Sequence, residues 1–94
     1  MRKIGIDYGD ARVGLAITDE LGITVQGLET VHHNGNDKIV LKRLEEIFKQ
    51  YDVDTIVIGI PINMNGTKSE RVEVTEKFIH KLKCKFNKMK IERV

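Results

Sequence analysis

Asp7 is the residue of this 94-residue chain whose type and surroundings most directly suggest chemistry. It lies in the stretch Lys3 to Thr18, K-I-G-I-D-Y-G-D-A-R-V-G-L-A-I-T, at the mouth of a tight polar link between two apolar segments. A carboxylate placed there can cap its own turn. Gly5 and Gly14 leave bare backbone near it, so a large ligand such as a phosphate backbone could approach closely. Gly9 supplies the freedom to take a positive φ in the turn. A second candidate lies further on. Thr67-Lys68-Ser69-Glu70 has the T-x-x-E capping-box pattern, and Lys68 and Arg71 stand near the helix start that it announces. Free N–H groups and the helix dipole favour an anion there, whereas Glu70 and Glu73 oppose it. The histidines argue against zinc. His32 and His33 are adjacent on a strand and point to opposite faces, and His80 is far away. Cys84 is the one cysteine, so no internal disulfide can form, in keeping with a reducing compartment. In its Lys-rich segment it reads best as a helix-end residue.

The elements that must position these groups follow from periodicity. Ile4 and Ile6 alternate with Lys3, Gly5 and Asp7; Val13, Leu15 and Ile17 alternate with Gly14, Ala16 and Thr18. Both read as strands of a hairpin. Asp19-Glu20-Leu21-Gly22 is a second turn. Ile23 to His32 is a third strand, with Gly27 marking a bulge or bend. Asn34-Gly35-Asn36-Asp37 ends in good N-caps. The spacing predicts a helix over 38–51, with Val40, Leu44, Ile47, Phe48 and Tyr51 on one stripe. Asp52-Val53-Asp54 breaks that pattern. Thr55 to Ile60 is apolar at nearly every position and reads as a strand buried on both faces, parallel to an earlier strand through a right-handed crossover. Pro61 stops it. The loop 62–67 lies at its C-terminal end, where ligands bind in open sheets with such crossovers. A second helix runs to about Lys83 with Val72, Thr75, Phe78, Ile79 and Leu82 inward and Lys77, Lys81 and Lys83 outward. Met89 to Val94 forms a last short strand.

The bulk composition is that of a globular protein, 40% hydrophobic and 32% charged. Its length fits one domain spanning 1–94 with a small core. No apolar run approaches the roughly 20 residues that a membrane helix needs, and the first residues lead straight into a strand rather than a signal segment. The expected location is the cytoplasm. Net charge is +2, unevenly placed: residues 1–66 carry seven Lys/Arg against ten Asp/Glu, and residues 67–94 carry nine against four. A basic final third is compatible with a nucleic-acid surface.

The order βββαβαβ, with an Asp closing the first strand, is an RNase H-like layout. Gly5-Ile6-Asp7-Tyr8-Gly9, Arg12-Val13-Gly14-Leu15-Ala16 and Gly59-Ile60-Pro61-x-Asn63-Met64-x-Gly66-Thr67 together resemble the YqgF/RuvX family, whose members are called Holliday-junction resolvase-like proteins or pre-16S rRNA nucleases. The resemblance spans essentially the whole chain. It implies an α/β fold with a mixed five-stranded sheet and helices on both faces. It also implies metal-dependent hydrolysis of a phosphodiester in structured RNA or branched DNA, with Mg²⁺ or Mn²⁺ held by clustered carboxylates. Asp7 matches the first of these and is the implied catalytic and metal-binding residue. Arg12, Asn63, Lys68 and Arg71 are the implied nucleic-acid contacts, and Gly5, Gly9, Gly14 and Gly66 allow close backbone approach. The family's second carboxylate lies in a D-E-R-x-S/T element after the last strand and its third in a C-terminal helix. This sequence has neither, since Glu92-Arg93 lacks the preceding Asp and the following hydroxyl residue.

The chain therefore reads as a family member whose active site is incomplete, weak or inactive by itself. The sheet surface that a C-terminal helix would cover should be exposed around the second half of the sheet, and should drive a twofold homodimer. The alternative reading is a catalytically incomplete module that binds nucleic acid or a protein. A third, from another class, is an ATP-binding phosphate hairpin of the actin, Hsp70 and sugar-kinase type, for which the chain is too short.

Overall fold

The computed structural model describes residues 1–9, 11–59 and 70–94, with Glu70 and Arg71 described as helix backbone only. Seven elements follow in order: β1 (Arg2–Tyr8), β2 (Arg12–Thr18), β3 (Val25–His32), α1 (Asp37–Gln50), β4 (Val53–Ile58), α2 (Glu70–Lys85) and β5 (Lys90–Arg93). They form one five-stranded sheet in the order β3-β2-β1-β4-β5. The β1–β2 and β2–β3 pairs are antiparallel, whereas β1–β4 and β4–β5 are parallel. This is the mixed α/β arrangement that the strand and helix patterns predict.

Alternation in β1 and β2 divides the sheet into two unlike faces. Ile4, Ile6 and Tyr8 of β1 and Val13, Leu15 and Ile17 of β2 are buried. They face the same side as Ile56 and Ile58, which pair in register with Ile4 and Ile6. Both helices pack here. The Tyr8 ring stacks on Phe78 of α2 at 4.4 Å between centroids. Its hydroxyl donates to Asp37 at the start of α1, at 2.5 Å. Val40, Leu44 and Ile47 from α1 and Phe78, Ile79 and Leu82 from α2 complete the core. Each such aliphatic or aromatic side chain contributes roughly 1.5–3 kcal/mol when fully buried. Ion pairs at the surface contribute far less, so the core decides the fold.

The helix ends follow local chemistry. Asn36 caps α1, its side chain accepting from the Lys38 N–H at 3.1 Å. Arg43 reaches from α1 to β3 and donates to both oxygens of Glu29, at 2.9 and 2.6 Å. That hydrogen bond holds the Glu29 carboxyl below its usual range and raises Arg43. Lys85 of α2 pairs with Glu45 of α1 at 3.0 Å and lowers it likewise. The bulge expected at Gly27 is present: Leu15 faces Glu29 but Ala16 faces Gly27, which leaves Leu28 between them.

Three expectations need correction. First, β4 starts at Val53, so the Asp52-Val53-Asp54 break is partly strand. The backbone N–H of Arg2 bonds Asp52 at 2.9 Å, and the parallel pairing with β1 carries the chain into strand two residues early. Second, among the described residues both helices cover one face, and Val57 on the other face of β4 is only half-buried. The near-continuous apolar run does not mean that both faces are covered. Third, Gly9 does not use a positive φ; the described glycines that do are Gly22 and Gly35. Close approach requires glycine instead, because a Cβ on Gly9 would lie 2.7 Å from the Arg12 carbonyl oxygen.

Candidate functional site

Asp7 points to the face opposite the one on which α1 and α2 pack. Residues alternate in β1, so Asp7 shares a side with Lys3 and Gly5, opposite the core set. Its exposed carboxylate makes no hydrogen bond or ion pair among the described residues. The Gly9 N–H bonds the Arg12 carbonyl at 3.0 Å and closes the link.

The ground around Asp7 is bare. Gly14 faces it across the β1–β2 ladder. Gly5, Gly14, Ala16, Gly27 and Gly59 line a shallow open depression of about 600 Å³, with Leu28 and Val57 among its apolar contributors. A second hollow of about 310 Å³ continues from Asp7 past Gly9, Gly14 and Arg12 to Thr30. Arg12 is exposed at the start of β2. A carboxylate, a guanidinium and a hydroxyl thus border one concave surface of mostly naked backbone. Among the described residues this apolar depression runs from β3 across β2 and β1 to β4.

The turn that follows Asp7 is held from behind. Tyr8 points into the core, stacked on Phe78 and, at 5.5 Å, on His33. The Asp37 carboxylate that receives the Tyr8 hydroxyl also accepts from Lys81 at 2.9 Å. These residues were not legible as a site from sequence. His33 could be assigned to the face opposite His32, and the structure bears this out, with His33 buried and His32 exposed. The contact between His33 and the turn could not be read.

Of the other expected site residues, Asn63, Gly66 and Lys68 and the side chain of Arg71 lie outside the described residues. So does the expected capping box at Thr67–Glu70. The structure therefore brings together Asp7, Arg12, Gly5, Gly9 and Gly14. Among the described residues no cluster of three or more His, Cys, Asp or Glu could hold a metal ion. Among the described residues the donor set is one exposed hard-oxygen carboxylate, Asp7. Magnesium needs no more from a protein than one or two carboxylates, together with waters and substrate phosphates, so Asp7 fits such an ion as a single protein ligand. Glu92, opposite Val57 in β5, is engaged with Lys3 at 3.9 Å.

Fold and site together define an α/β protein of RNase H-like architecture with a carboxylate at the end of its central strand. A family model described as "RuvX: Holliday junction resolvase" matches residues 1–94. The chain belongs to the RuvX family. It is 55% identical over 82 residues to a protein of Ruminiclostridium cellulolyticum named "Putative pre-16S rRNA nuclease", covering 87% of this chain and 58% of that one. A protein of Acetivibrio thermocellus with the same name is 43% identical over 91 residues, covering 97% and 64%. The chain thus spans about six-tenths of the length of these curated relatives. Among solved structures, Thermus thermophilus RuvC in complex with a Holliday junction substrate superposes with a TM-score of 0.70 at 13% identity. That match covers all of this chain and 64% of RuvC, and at this identity it shows the fold alone.

Proposed function

We propose that Asp7 of this chain is the metal-binding carboxylate of a metal-dependent nuclease site acting on structured nucleic acid. Two substrates suit the reading: the precursor of 16S rRNA, from the relatives' names, and a four-way DNA junction, from the family description. The observation that carries it is the exposure of Asp7 amid glycines, at the end of the central strand, with Arg12 and Thr30 beside it. Mg²⁺ or Mn²⁺ bound there would activate a water and stabilise the leaving oxygen. The chain's own contributions are narrower. Asp7 offers the ligand, Arg12 offers a charge for a substrate phosphate, and Gly5, Gly9 and Gly14 let the nucleic-acid backbone come close. Asn63, Lys68 and Arg71 would add contacts from the segment after β4. As a single carboxylate among the described residues, Asp7 supports weak or no cleavage by this chain alone.

A further part of this reading is a twofold homodimer through the second half of the sheet, at the β4–β5 end where Val57 and Ile91 are only half-buried, which leaves the Asp7 end open to substrate. Light scattering at micromolar concentration tests it, and a monomer overturns it. Location in the cytoplasm, where such substrates are found, belongs to the same proposal.

The deciding experiment is cleavage of structured RNA and four-way junctions with Mg²⁺ or Mn²⁺, comparing this chain with Asp7→Asn. Cleavage lost in the variant supports Asp7 as the ligand. Cleavage indifferent to the variant overturns that role. Salt-dependent binding without cleavage would favour the alternative, a nucleic-acid-binding module, for which the bare concave face is equally suited.

A further inference from the structure

One imidazole ties together the two loops that meet beside Asp7. His33 follows β3 and is 1% exposed. Its Nε2 lies 2.9 Å from the Gly9 carbonyl oxygen, and the Gly35 N–H donates to its Nδ1 at 3.1 Å. A carbonyl can only accept and a backbone N–H can only donate. The two contacts together therefore specify a neutral ring with its proton on Nε2. Backbone bonds run in parallel: the N–H groups of His33 and Asn34 both donate to the Ala11 carbonyl, at 2.9 and 3.1 Å. Asn34 and Gly35 take left-handed φ values of 48° and 86°, the bend that returns the Gly35 N–H to the ring.

We propose that His33 is the positioning residue for the turn after Asp7, and that the turn keeps its geometry only while the ring is the neutral Nε2–H tautomer. A second ring proton on Nδ1 would face the Gly35 N–H, donor against donor, inside a nearly closed pocket. The loop 33–36 must then shift, and the Ala11 carbonyl held by that loop shifts with it. Among the described residues, the groups around the ring offer no ready compensation. Tyr8 of β1 stacks on it. Asp37 of α1, reached through Tyr8, already accepts from the Tyr8 hydroxyl and from Lys81 of α2. Arg12 of β2, an exposed cation, pairs in register with exposed His32 rather than with His33.

The consequence for cation binding rests on the reading of Asp7 given above; the structural coupling does not. The test is NMR on the wild-type chain. Ring ¹⁵N spectra at neutral pH should show the Nε2–H tautomer. On acidification, the Gly9 and Gly35 amide signals should shift with the midpoint of the His33 ring, a response that a merely space-filling histidine would not give. Broadening of Asp7 signals by Mn²⁺ should weaken about tenfold over the same range, the lower end of the usual cost of losing a group that orients a metal site. His33→Phe keeps a stacked ring that cannot titrate, so its Mn²⁺ response should lack that step. The Nδ1–H tautomer, or Gly9 and Gly35 amides indifferent to the His33 titration, overturns the proposal, and both are read on the wild type whether or not the variant folds. Amides that follow His33 while Mn²⁺ leaves Asp7 unaffected at every pH support the coupling and overturn the reading of Asp7.

Discussion

Gly14 stands directly across the β1–β2 ladder from Asp7, and a Cβ placed on it would lie 3.7 Å from the Asp7 Cβ. That is ordinary contact, so alanine fits and a branched side chain would screen the carboxylate. Gly14→Ala should retain the melting temperature and any Mn²⁺ binding. Gly14→Val should fold, since the face is open, yet bind Mn²⁺ about tenfold more weakly, an effect of the size seen when a metal site's surroundings are disturbed. Calorimetric titration alongside thermal melting separates the two effects.

Gly9→Ala should act on stability first. The added Cβ meets a backbone oxygen at 2.7 Å, which cannot swing aside as a side chain could. The expected cost is about 1–3 kcal/mol, the range for forced overpacking, read as a lower urea midpoint with an unchanged slope.

The Tyr8–Asp37 bond predicts a measurable difference from a single oxygen. Tyr8→Phe leaves the stack on Phe78 in place and removes the donor to Asp37. Hydrogen bonds to charged groups contribute about 1.5–3 kcal/mol, and the variant should lose an amount in that range. In Asp37→Asn the same change should cost less, and a double-mutant cycle by urea unfolding measures the coupling.

Acid should weaken the chain through carboxylates held by hydrogen bonds, Glu29 and Glu45 among them. Glu29 is held below its usual range by the hydrogen bond from Arg43, and Glu45 by that from Lys85. A carboxyl with a lowered folded-state pKa stabilises the fold above its unfolded pKa, and that stabilisation is lost as pH falls through the folded value. The melting temperature should therefore decline from just above pH 4.5 downward, 4.5 being the ordinary value for Glu. In Glu29→Gln the decline should be shallower. Added salt should weaken the exposed Glu45–Lys85 pair at neutral pH.

Much of the frame was legible because local chemistry and tertiary packing agree. Asn36 caps α1, the Gly27 bulge sits where glycine interrupts a strand, and Asp7 lies one residue before the end of β1. What escaped depends on partners distant in sequence. His33 reaches Gly9, and Tyr8 reaches Asp37 and, through it, Lys81, while nothing in the spacing of these residues announces a contact. Val57 looked like core because Ile56 and Ile58 flank it, yet it faces the same side as Gly5. Gly9 was assigned a glycine's role for the wrong reason. Conformational freedom and steric clearance both call for glycine, and only coordinates tell them apart.

The central position of β1 bears on how the chain comes to be folded. The hairpin partner β2 follows at once, but the other partner, β4, arrives only after β3 and α1, where Ile4 meets Ile56. Such distant pairing slows folding. On the ribosome, β1 to β3 can assemble as a meander while the far side of β1 keeps its backbone donors and acceptors unpaired. An open edge of that kind recruits other chains. The interval between the emergence of Tyr8 and of Val53 from the ribosome is thus when the β1 edge of a nascent copy is open to aggregation, and slowing translation would prolong it.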